Sequence, residues 1–156
     1  FLDGCKDIMS AALVVGLAGG IIVILKEGLV IDTILYNLAK GMEGLGQVAT
    51  VGMMYVIQTL INLIIPSGSA KAALTMPIMA PLADLVGVER QVAVVAYQLG
   101  DAFTNFIVPT SGCLLGALAA AKLDWGKWAK FQIKFQAVLF AFGSIAVILA
   151  VVIGLS

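Results

Sequence analysis

The chain has 156 residues, of which 62% are hydrophobic and only 12% are charged, with nine basic and nine acidic side chains. About a quarter of the residues in soluble domains are charged, and a domain of this size has too little interior to bury so much apolar surface. The composition excludes a soluble enzyme, and the balanced charge excludes nucleic-acid binding. Histidine is absent and the two cysteines are far apart, which leaves no common zinc or haem ligand set and no disulfide framework. We therefore expect an all-α membrane protein in contact with a lipid bilayer.

The first region, residues 1–43, predicts one transmembrane helix and one interfacial helix. Residues 8–25 carry no charge and are long enough to cross a hydrocarbon core of about 30 Å. Residues 26–42 mix charges with apolar residues at helical spacing, which favours an amphipathic helix at the membrane surface. The chain lacks an initiator methionine and opens close to a long apolar segment, so we expect a fragment of a longer protein.

Residues 44–86 predict a re-entrant helical hairpin within the membrane. The first arm has no charge and ends in Pro66-Ser67-Gly68-Ser69. The second arm, residues 72–86, would extend roughly 22 Å as a helix, which is short for a full crossing. Two ordinary spans joined by a polar loop are the alternative.

Residues 91–121 predict a discontinuous transmembrane helix. Asp101 is the only charge between residues 92 and 121, and two polar clusters, a proline and two glycines follow within residues 100–112. Such a sequence is hard to keep as unbroken helix in lipid.

The last region, residues 122–156, predicts a cytoplasmic connector and a final transmembrane helix from residue 135. Trp125 and Trp128 are expected to anchor the connector at the interface. By the positive-inside rule the C-terminus then lies outside the membrane. The basic residues that place the connector inside are Lys122, Lys127, Lys130 and Lys134.

A repeated motif carries the functional prediction, because Asn62-Leu-Ile-Ile-Pro-Ser67 recurs as Asn105-Phe-Ile-Val-Pro-Thr110. Proline removes a backbone donor and frees carbonyl oxygens in the preceding turn. These oxygens, with those of Asn, Ser and Thr, suit a hard cation, whereas the helix N-termini after each break suit a carboxylate. Two such breaks are expected to face each other near the bilayer midplane.

The sequence therefore predicts a substrate and ion site but no catalytic residue. Asp101 could bind a cation, relay a proton or pair with a cationic substrate; a structural pair with a lysine is the alternative. Three further side chains are candidate substrate contacts, although Lys71 could instead reach water and Gln58 and Gln98 could join helices. A Na⁺ site is expected near Ser67, Asn105 and Thr110. The full predicted site is Asn62, Pro66, Ser67, Gly68, Ser69, Asp101, Thr104, Asn105, Pro109, Thr110, Ser111 and Gly112.

Two longer runs around these motifs resemble the YfcC-like membrane proteins. The first run is residues 62–84, and the second begins Tyr97-Gln-Leu-Gly-Asp101 and continues to Gly112. That group is related to the anaerobic C4-dicarboxylate carriers of the DcuC type, within the ion transporter superfamily. Residues 16–24 also resemble the family, so the resemblance covers nearly the whole chain.

The resemblance implies a bacterial inner-membrane carrier built from two inverted repeats, of which this chain is similar to the C-terminal one. It implies that residues 44–121 belong to a moving transport domain, that an N-terminal repeat of the same protein completes the site, and that two copies form a homodimer. The superfamily's cation motif is matched only loosely by residues 66–69 and by 104–105 with 109–110. Na⁺ and H⁺ thus both remain candidate coupling ions.

The function predicted from all of this is a secondary active transporter, symporter or antiporter, for a small organic ion. The resemblance gives a C4-dicarboxylate or a basic amino acid as the substrate. A passive channel and a purely structural membrane fragment are the alternatives, although no stripe of like residues predicts a pore. An intramembrane aspartyl protease is disfavoured because Leu99-Gly100-Asp101 lacks the Gly-x-Gly-Asp context and a second membrane aspartate.

Overall fold

The computed structural model describes residues 2–42 and 44–155, and these form seven α-helices and no strand. This confirms the all-helical class for the described residues. The predicted region boundaries at residues 43 and 156 lie outside them. The helices are α1 Leu2–Glu27, α2 Val30–Met42, α3 Gln47–Ile64, α4 Gly68–Leu85, α5 Arg90–Thr104, α6 Gly112–Ala120 and α7 Trp125–Val152.

Among the described residues, α3 and α7 are the helices found to be long and apolar enough to cross a membrane. The 28 residues of α7 span about 42 Å, more than a hydrocarbon core requires. Large apolar side chains cover its outer face and would be an exposed patch in water. They include Phe135, Val138, Phe142, Ile145, Leu149 and Val152. Such a face is typical of a helix that contacts lipid, and the chain is a membrane protein.

Helices α3 and α5 lie side by side and run in the same direction. Gln47 at the start of α3 donates a hydrogen bond to the Gly87 carbonyl just before α5, and Asn62 near the end of α3 contacts Asn105 at the end of α5. Helix α7 runs the opposite way along both, since Trp128 near its start contacts Phe106 after the end of α5, whereas Val151 near its end lies beside Gln47 at the start of α3. Tyr55 in α3 stacks on Phe140 in α7 with ring centroids 5.2 Å apart. The apolar core lies largely among these helices and includes Val51, Met54, Ile57, Val92, Ala96 and Val147.

Helix α4 folds back from α3 at residues 65–67, where the chain is not helical. Each arm has 18 residues and is about 27 Å long, so the second arm is longer than the 22 Å predicted from its sequence. Pro77 and Pro81 lie inside α4, four residues apart on its exposed face. The opposite face is buried and carries Lys71, Thr75 and Met79 at the same spacing.

The chain leaves helical conformation again between Thr104, where α5 ends, and Gly112, where α6 begins. Helix α6 packs against α1 rather than continuing along α3 or α7. Helix α2 is amphipathic and contacts α1, α3 and α4. It begins at Val30, four residues later than the predicted interfacial segment, because Gly28 and Leu29 form a turn in which Leu29 has a φ of 54°.

The last helix begins ten residues earlier than predicted. Asp124 caps α7 by accepting a hydrogen bond from the Lys127 backbone N–H at 3.2 Å. Lys127, Lys130 and Lys134 therefore lie on the first turns of α7 and not in a connector. Lysines at this spacing are compatible with the exposed face of a helix and with a polar loop alike. The Asp124 cap shows that this segment is the start of the helix.

Candidate functional site

A buried ion pair lies where the two chain interruptions meet. Lys71, in the first turn of α4, has a side chain with no solvent exposure, and its Nζ lies 3.0 Å from Oδ1 of Asp101 in α5. The same ammonium lies 4.7 Å from the centre of the Tyr97 ring, within the range of a cation–π contact. The Asp101 side chain keeps 18% of its exposure, so the pair can be reached from solvent on the carboxylate side.

The two asparagines of the repeated motif contact each other beside this pair. The Asn62 amide donates hydrogen bonds to the Asn105 side-chain oxygen and to the Asp101 carbonyl, both at 3.2 Å. The Asn105 amide in turn donates to Asp101 Oδ2 at 3.2 Å. Asn62 is completely buried. It holds the side chain of Asn105, and Asn105 in turn holds the Asp101 carboxylate.

Helical spacing explains why these side chains converge. Tyr97, Asp101 and Asn105 are four residues apart and share one face of α5, because a helix repeats every 3.6 residues. Lys71 is four residues before Thr75 on α4, and the Thr75 hydroxyl lies 3.5 Å from the Gln58 side-chain oxygen on α3. Three helices thus contribute one face each to the cluster.

Gly100 lets two of these helices approach closely, and Gly68 lies beside the Tyr97 hydroxyl. A Cβ on Gly100 would lie 3.0 Å from the Gln58 Cβ and 3.1 Å from the Thr59 backbone nitrogen, so a side chain there would force α3 and α5 apart. A Cβ on Gly68 would lie 3.4 Å from the Tyr97 hydroxyl oxygen. That hydroxyl donates a hydrogen bond to the Gly68 carbonyl and ties the start of α4 to α5.

Several polar atoms of the cluster have no hydrogen-bond partner within the described part of the chain. The Lys71 ammonium meets Asp101 Oδ1 at ion-pair distance but without the alignment of a hydrogen bond, and both atoms are buried. The Asn62 side-chain oxygen and the Gln58 amide nitrogen are also buried without a partner. Buried polar groups are normally satisfied, so the cluster retains capacity for a polar ligand.

The second interruption is held by two tryptophans of α7. The Trp128 indole N–H donates to the Phe106 carbonyl at 2.8 Å, and the Trp125 indole N–H donates to the Ile107 carbonyl at 3.0 Å. Both carbonyls lie in the segment between α5 and α6, where they lack helical partners. The tryptophans, which the sequence predicted as interfacial anchors, thus also stabilise the broken segment.

An apolar cleft of about 640 Å³ opens beside this segment, between the end of α5, α6 and the start of α7. Asn105 and Ser111 supply its polar wall, and the other lining residues are mostly small or apolar, including Ala102, Leu114 and Trp128. Asn105 therefore faces both the cleft and the buried ion pair. Ligand sites commonly combine an apolar cavity with a few convergent polar groups.

Some of the predicted site residues belong to this cluster and others do not. Asn62, Gly68, Asp101, Asn105, Gln58 and Lys71 come together. Thr104 is buried but donates to the Gly100 carbonyl within its own helix, and the Thr110 hydroxyl is buried without a described partner. The members that are exposed or only partly buried are Pro66, Ser67, Ser69, Pro109 and Gly112, and Gln98 is exposed on α5. Ser111 is buried at the start of α6.

Tyr97 and Thr75 are members of the cluster that the sequence analysis missed. Tyr97 precedes Asp101 by four residues and Thr75 follows Lys71 by four, so the helical period itself contained the signal. The alternative in which Asp101 pairs with a lysine describes the contact observed here.

A second ion pair lies outside the cluster, at the exposed turn between α4 and α5. The Arg90 guanidinium donates hydrogen bonds to both oxygens of Asp84, and this holds the pKa of the Asp84 carboxyl below its usual value. Because the folded-state pKa is lowered, any stability that this pair contributes is present above the ordinary pKa of a carboxyl and is lost as the pH falls through the folded-state value. Exposed pairs of this kind contribute little.

Ionisable side chains buried within a membrane protein commonly mark a substrate or ion pathway. The model of the family described as the C4-dicarboxylate anaerobic carriers, DcuC, matches residues 1–152, and the chain belongs to that family. The family is one of carriers rather than enzymes, which agrees with the sequence prediction.

Two curated relatives match almost the whole chain. One is the Escherichia coli K12 protein described as "Putative basic amino acid antiporter YfcC", which is 39% identical over 159 residues, 99% of this chain and 31% of the relative. The other is an uncharacterized protein of Haemophilus influenzae Rd, 36% identical over 152 residues, 97% of this chain and 30% of the relative. The chain therefore spans less than a third of the length of these relatives. No solved structure is significantly similar to it.

Proposed function

We propose that this chain is the C-terminal part of a secondary active transporter for a small organic ion, and that the cluster around Lys71 and Asp101 belongs to its binding site. The observation that carries the proposal is the contact between Asn62 and Asn105, the equivalent residues of two proline-centred motifs, beside a buried ion pair. Membership of a carrier family supports it.

The charges of the cluster suit a substrate that carries a carboxylate, an amine or both. The Lys71 ammonium can bind a carboxylate, and the Asp101 carboxylate can bind an ammonium or guanidinium group. The family description names C4-dicarboxylates, and one relative is described as an antiporter of basic amino acids. We therefore propose one of these two classes as the substrate, with Na⁺ or H⁺ as the coupling ion.

The remaining features of the proposal concern the arrangement in the membrane. We propose that α3 and α4 form a re-entrant hairpin and that α5 and α6 are the halves of a discontinuous helix. The C-terminus then lies outside a bacterial inner membrane. An N-terminal repeat of the same protein is proposed to complete the site, in a homodimer. Both interruptions lie at the same end of α3 and α5, which supports this arrangement. At the opposite end, Gln47 at the start of α3 contacts Gly87 just after α4, so α4 returns to the level at which α3 begins.

The test is solute uptake by the full-length protein in proteoliposomes. We expect saturable uptake that depends on a Na⁺ or H⁺ gradient, because a carrier binds its substrate in each cycle. Asn105→Ala removes the amide that fixes Asp101 and should lower the uptake rate at least tenfold while the protein stays folded. Gln91→Ala, a change of the same type at an exposed position of α5, is the matched control and should transport normally.

Two results would reject parts of this proposal. Uptake that is unsaturable and indifferent to gradients would indicate a passive channel. Normal saturable uptake by the Asn105→Ala protein, confirmed as folded by its unfolding temperature, would leave the carrier function in place and reject the site.

A further inference from the structure

The Lys71 ammonium lies where a cation bound to Asp101 would lie. Its Nζ is 3.0 Å from the carboxylate oxygen and 4.7 Å from the centre of the Tyr97 ring. A carboxylate together with an aromatic face is a combination that recognises ammonium and other monovalent cations. The groups around the Lys71 ammonium are therefore those of a cation-binding site. The cation in this site is the ammonium itself, which the lysine side chain links covalently to α4.

The position of Lys71 on its helix is electrostatically unfavourable. It is the fourth residue of α4, in the first turn, where the helix dipole disfavours positive charge. Lysines near a membrane surface usually extend to water, but this side chain is completely buried. The Asp101 carboxylate is the charged group that the structure places against it, so the carboxylate holds the ammonium in a place that α4 alone would not favour.

The carboxylate, in contrast, is positioned by other groups than the lysine. Asn105 donates to Asp101 Oδ2, and Asn62 donates to the Asp101 carbonyl. The lysine contacts Oδ1 at ion-pair distance without forming an aligned hydrogen bond. The anionic half of the site is thus held by its own amide partners and does not need Lys71 to shape it.

We infer that Lys71 is a tethered cation that takes the place of a free coupling cation at Asp101, so that the protein does not bind Na⁺ there. Removal of the side chain beyond Cβ should leave a carboxylate site that accepts a small monovalent ammonium ion. The missing part of the lysine corresponds to n-propylammonium, which is the probe of choice.

The test is the unfolding temperature of the full-length protein in detergent, at constant ionic strength balanced with N-methylglucamine. For the wild-type protein, Na⁺ should cause no specific shift. For Lys71→Ala, n-propylammonium should raise the unfolding temperature by several degrees in a saturable way, because a ligand that binds only the folded state stabilises it. The uncharged 1-propanol should have no such effect. Lys130→Ala, at an exposed lysine of α7, is the matched control and should not respond to n-propylammonium.

The variant Lys71→Ala with Asp101→Asn separates binding at the carboxylate from non-specific effects, and its response to n-propylammonium should be lost. If Lys71→Ala alone does not yield folded protein, expression and purification with n-propylammonium present should restore the yield. A specific stabilisation of the wild-type protein by Na⁺ that Asp101→Asn removes would overturn the inference. So would a Lys71→Ala protein that n-propylammonium neither stabilises nor restores, or a double variant that responds equally.

A transport measurement is a further test, and it rests on the proposed function. If the coupling cation binds at Asp101, replacing Na⁺ by N-methylglucamine on both sides of the membrane should leave the uptake rate of the wild-type protein unchanged. Na⁺-driven uptake together with a Na⁺ stabilisation that Asp101→Asn removes would overturn the inference. If no uptake of any kind occurs, the proposed function fails, and the unfolding measurements still decide whether Lys71 is the tethered cation.

Discussion

Gly143 is a residue at which α7 lies close against α3. A Cβ at this position would lie 2.7 Å from Cζ of Tyr55 and 3.2 Å from a ring carbon of Phe103. Tyr55 is itself buried and stacked on Phe140, so the ring has little room to move. The absence of a side chain at one position thus permits the contact between two helices.

Gly143→Ala should therefore destabilise the protein by about 1–3 kcal/mol, the usual range for overpacking a filled core. Measurement of the unfolding temperature in detergent checks this. Gly52→Ala is the control, because a Cβ at Gly52 in α3 meets nothing within 4 Å; it should be neutral or slightly stabilising, since alanine favours helix. Equal stability of both variants would contradict the packing described here.

The sequence analysis named residues of the observed cluster where a residue type was distinctive, and it missed residues whose only signal was helical periodicity. Asn62 and Asn105 were identified because the motif repeats, and Asp101 because it is alone in an apolar stretch. Tyr97 was overlooked because an aromatic residue in an apolar segment has no distinctive signature. Its position four residues before Asp101 indicates a place in the cluster only when the structure shows that this face of α5 packs against α4.

At the scale of the elements, the segment between α5 and α6 is the feature whose stability depends on a neighbouring helix. The carbonyls of Phe106 and Ile107 accept hydrogen bonds from Trp128 and Trp125 on α7. Without these indole donors the two carbonyls would need other hydrogen-bond donors, and these are scarce in the hydrocarbon region of a membrane. The conformation of the interruption is therefore set partly by α7.

Trp128→Phe retains an aromatic ring but removes the indole N–H. Since a net hydrogen bond contributes about 1 kcal/mol, we expect amide hydrogen exchange in residues 106–111 to accelerate roughly fivefold. Mass spectrometry of exchanged peptides measures this. Phe135→Leu, at an exposed aromatic residue of the same helix, should leave exchange in that segment unchanged. Unaltered exchange in the Trp128→Phe protein would show that the indole contact does not hold the interruption.

The limits of the sequence prediction are also visible at this scale. The interruptions at residues 65–67 and 105–111 contain Pro66 and Pro109, but Pro77 and Pro81 lie inside α4 without ending it, so a proline alone does not decide where the chain leaves helical conformation. The direction that α6 takes afterwards could not be predicted, since its packing on α1 depends on a contact between distant parts of the chain. The early start of α7 escaped prediction because lysines were interpreted as loop residues.

For the molecule as a whole, the distribution of apolar surface indicates where lipid lies. The core is shared mainly by α3, α5 and α7, while α7 also exposes a row of large apolar side chains. Ile145 is in this row, with 58% of its surface exposed. A charge there would have to enter the hydrocarbon region.

Ile145→Arg should lower the amount of correctly inserted protein, because arginine near the centre of a transmembrane helix costs about 2.5–3.5 kcal/mol on insertion scales. Ile145→Ala, which removes bulk without adding charge, is the control. Quantification of the membrane-inserted, folded fraction by detergent extraction and size-exclusion chromatography measures both. Equal yields of the two variants would mean that this face of α7 contacts water or a polar surface rather than lipid.

The contact between Asn62 and Asn105 determines where the chain tolerates the insertion of a single codon. Asn62 and Asn105 meet because the number of residues between the start of α5 and Asn105 sets the direction in which the Asn105 side chain leaves the helix axis. One codon inserted within α5 before Asp101 would rotate every later side chain of that helix by about 100°, turning Asp101 and Asn105 away from Lys71 and Asn62. The same codon added in the turn at residues 86–89 leaves the helical phase intact. Libraries of single-codon insertions and deletions should therefore be tolerated in that turn and purged from α5.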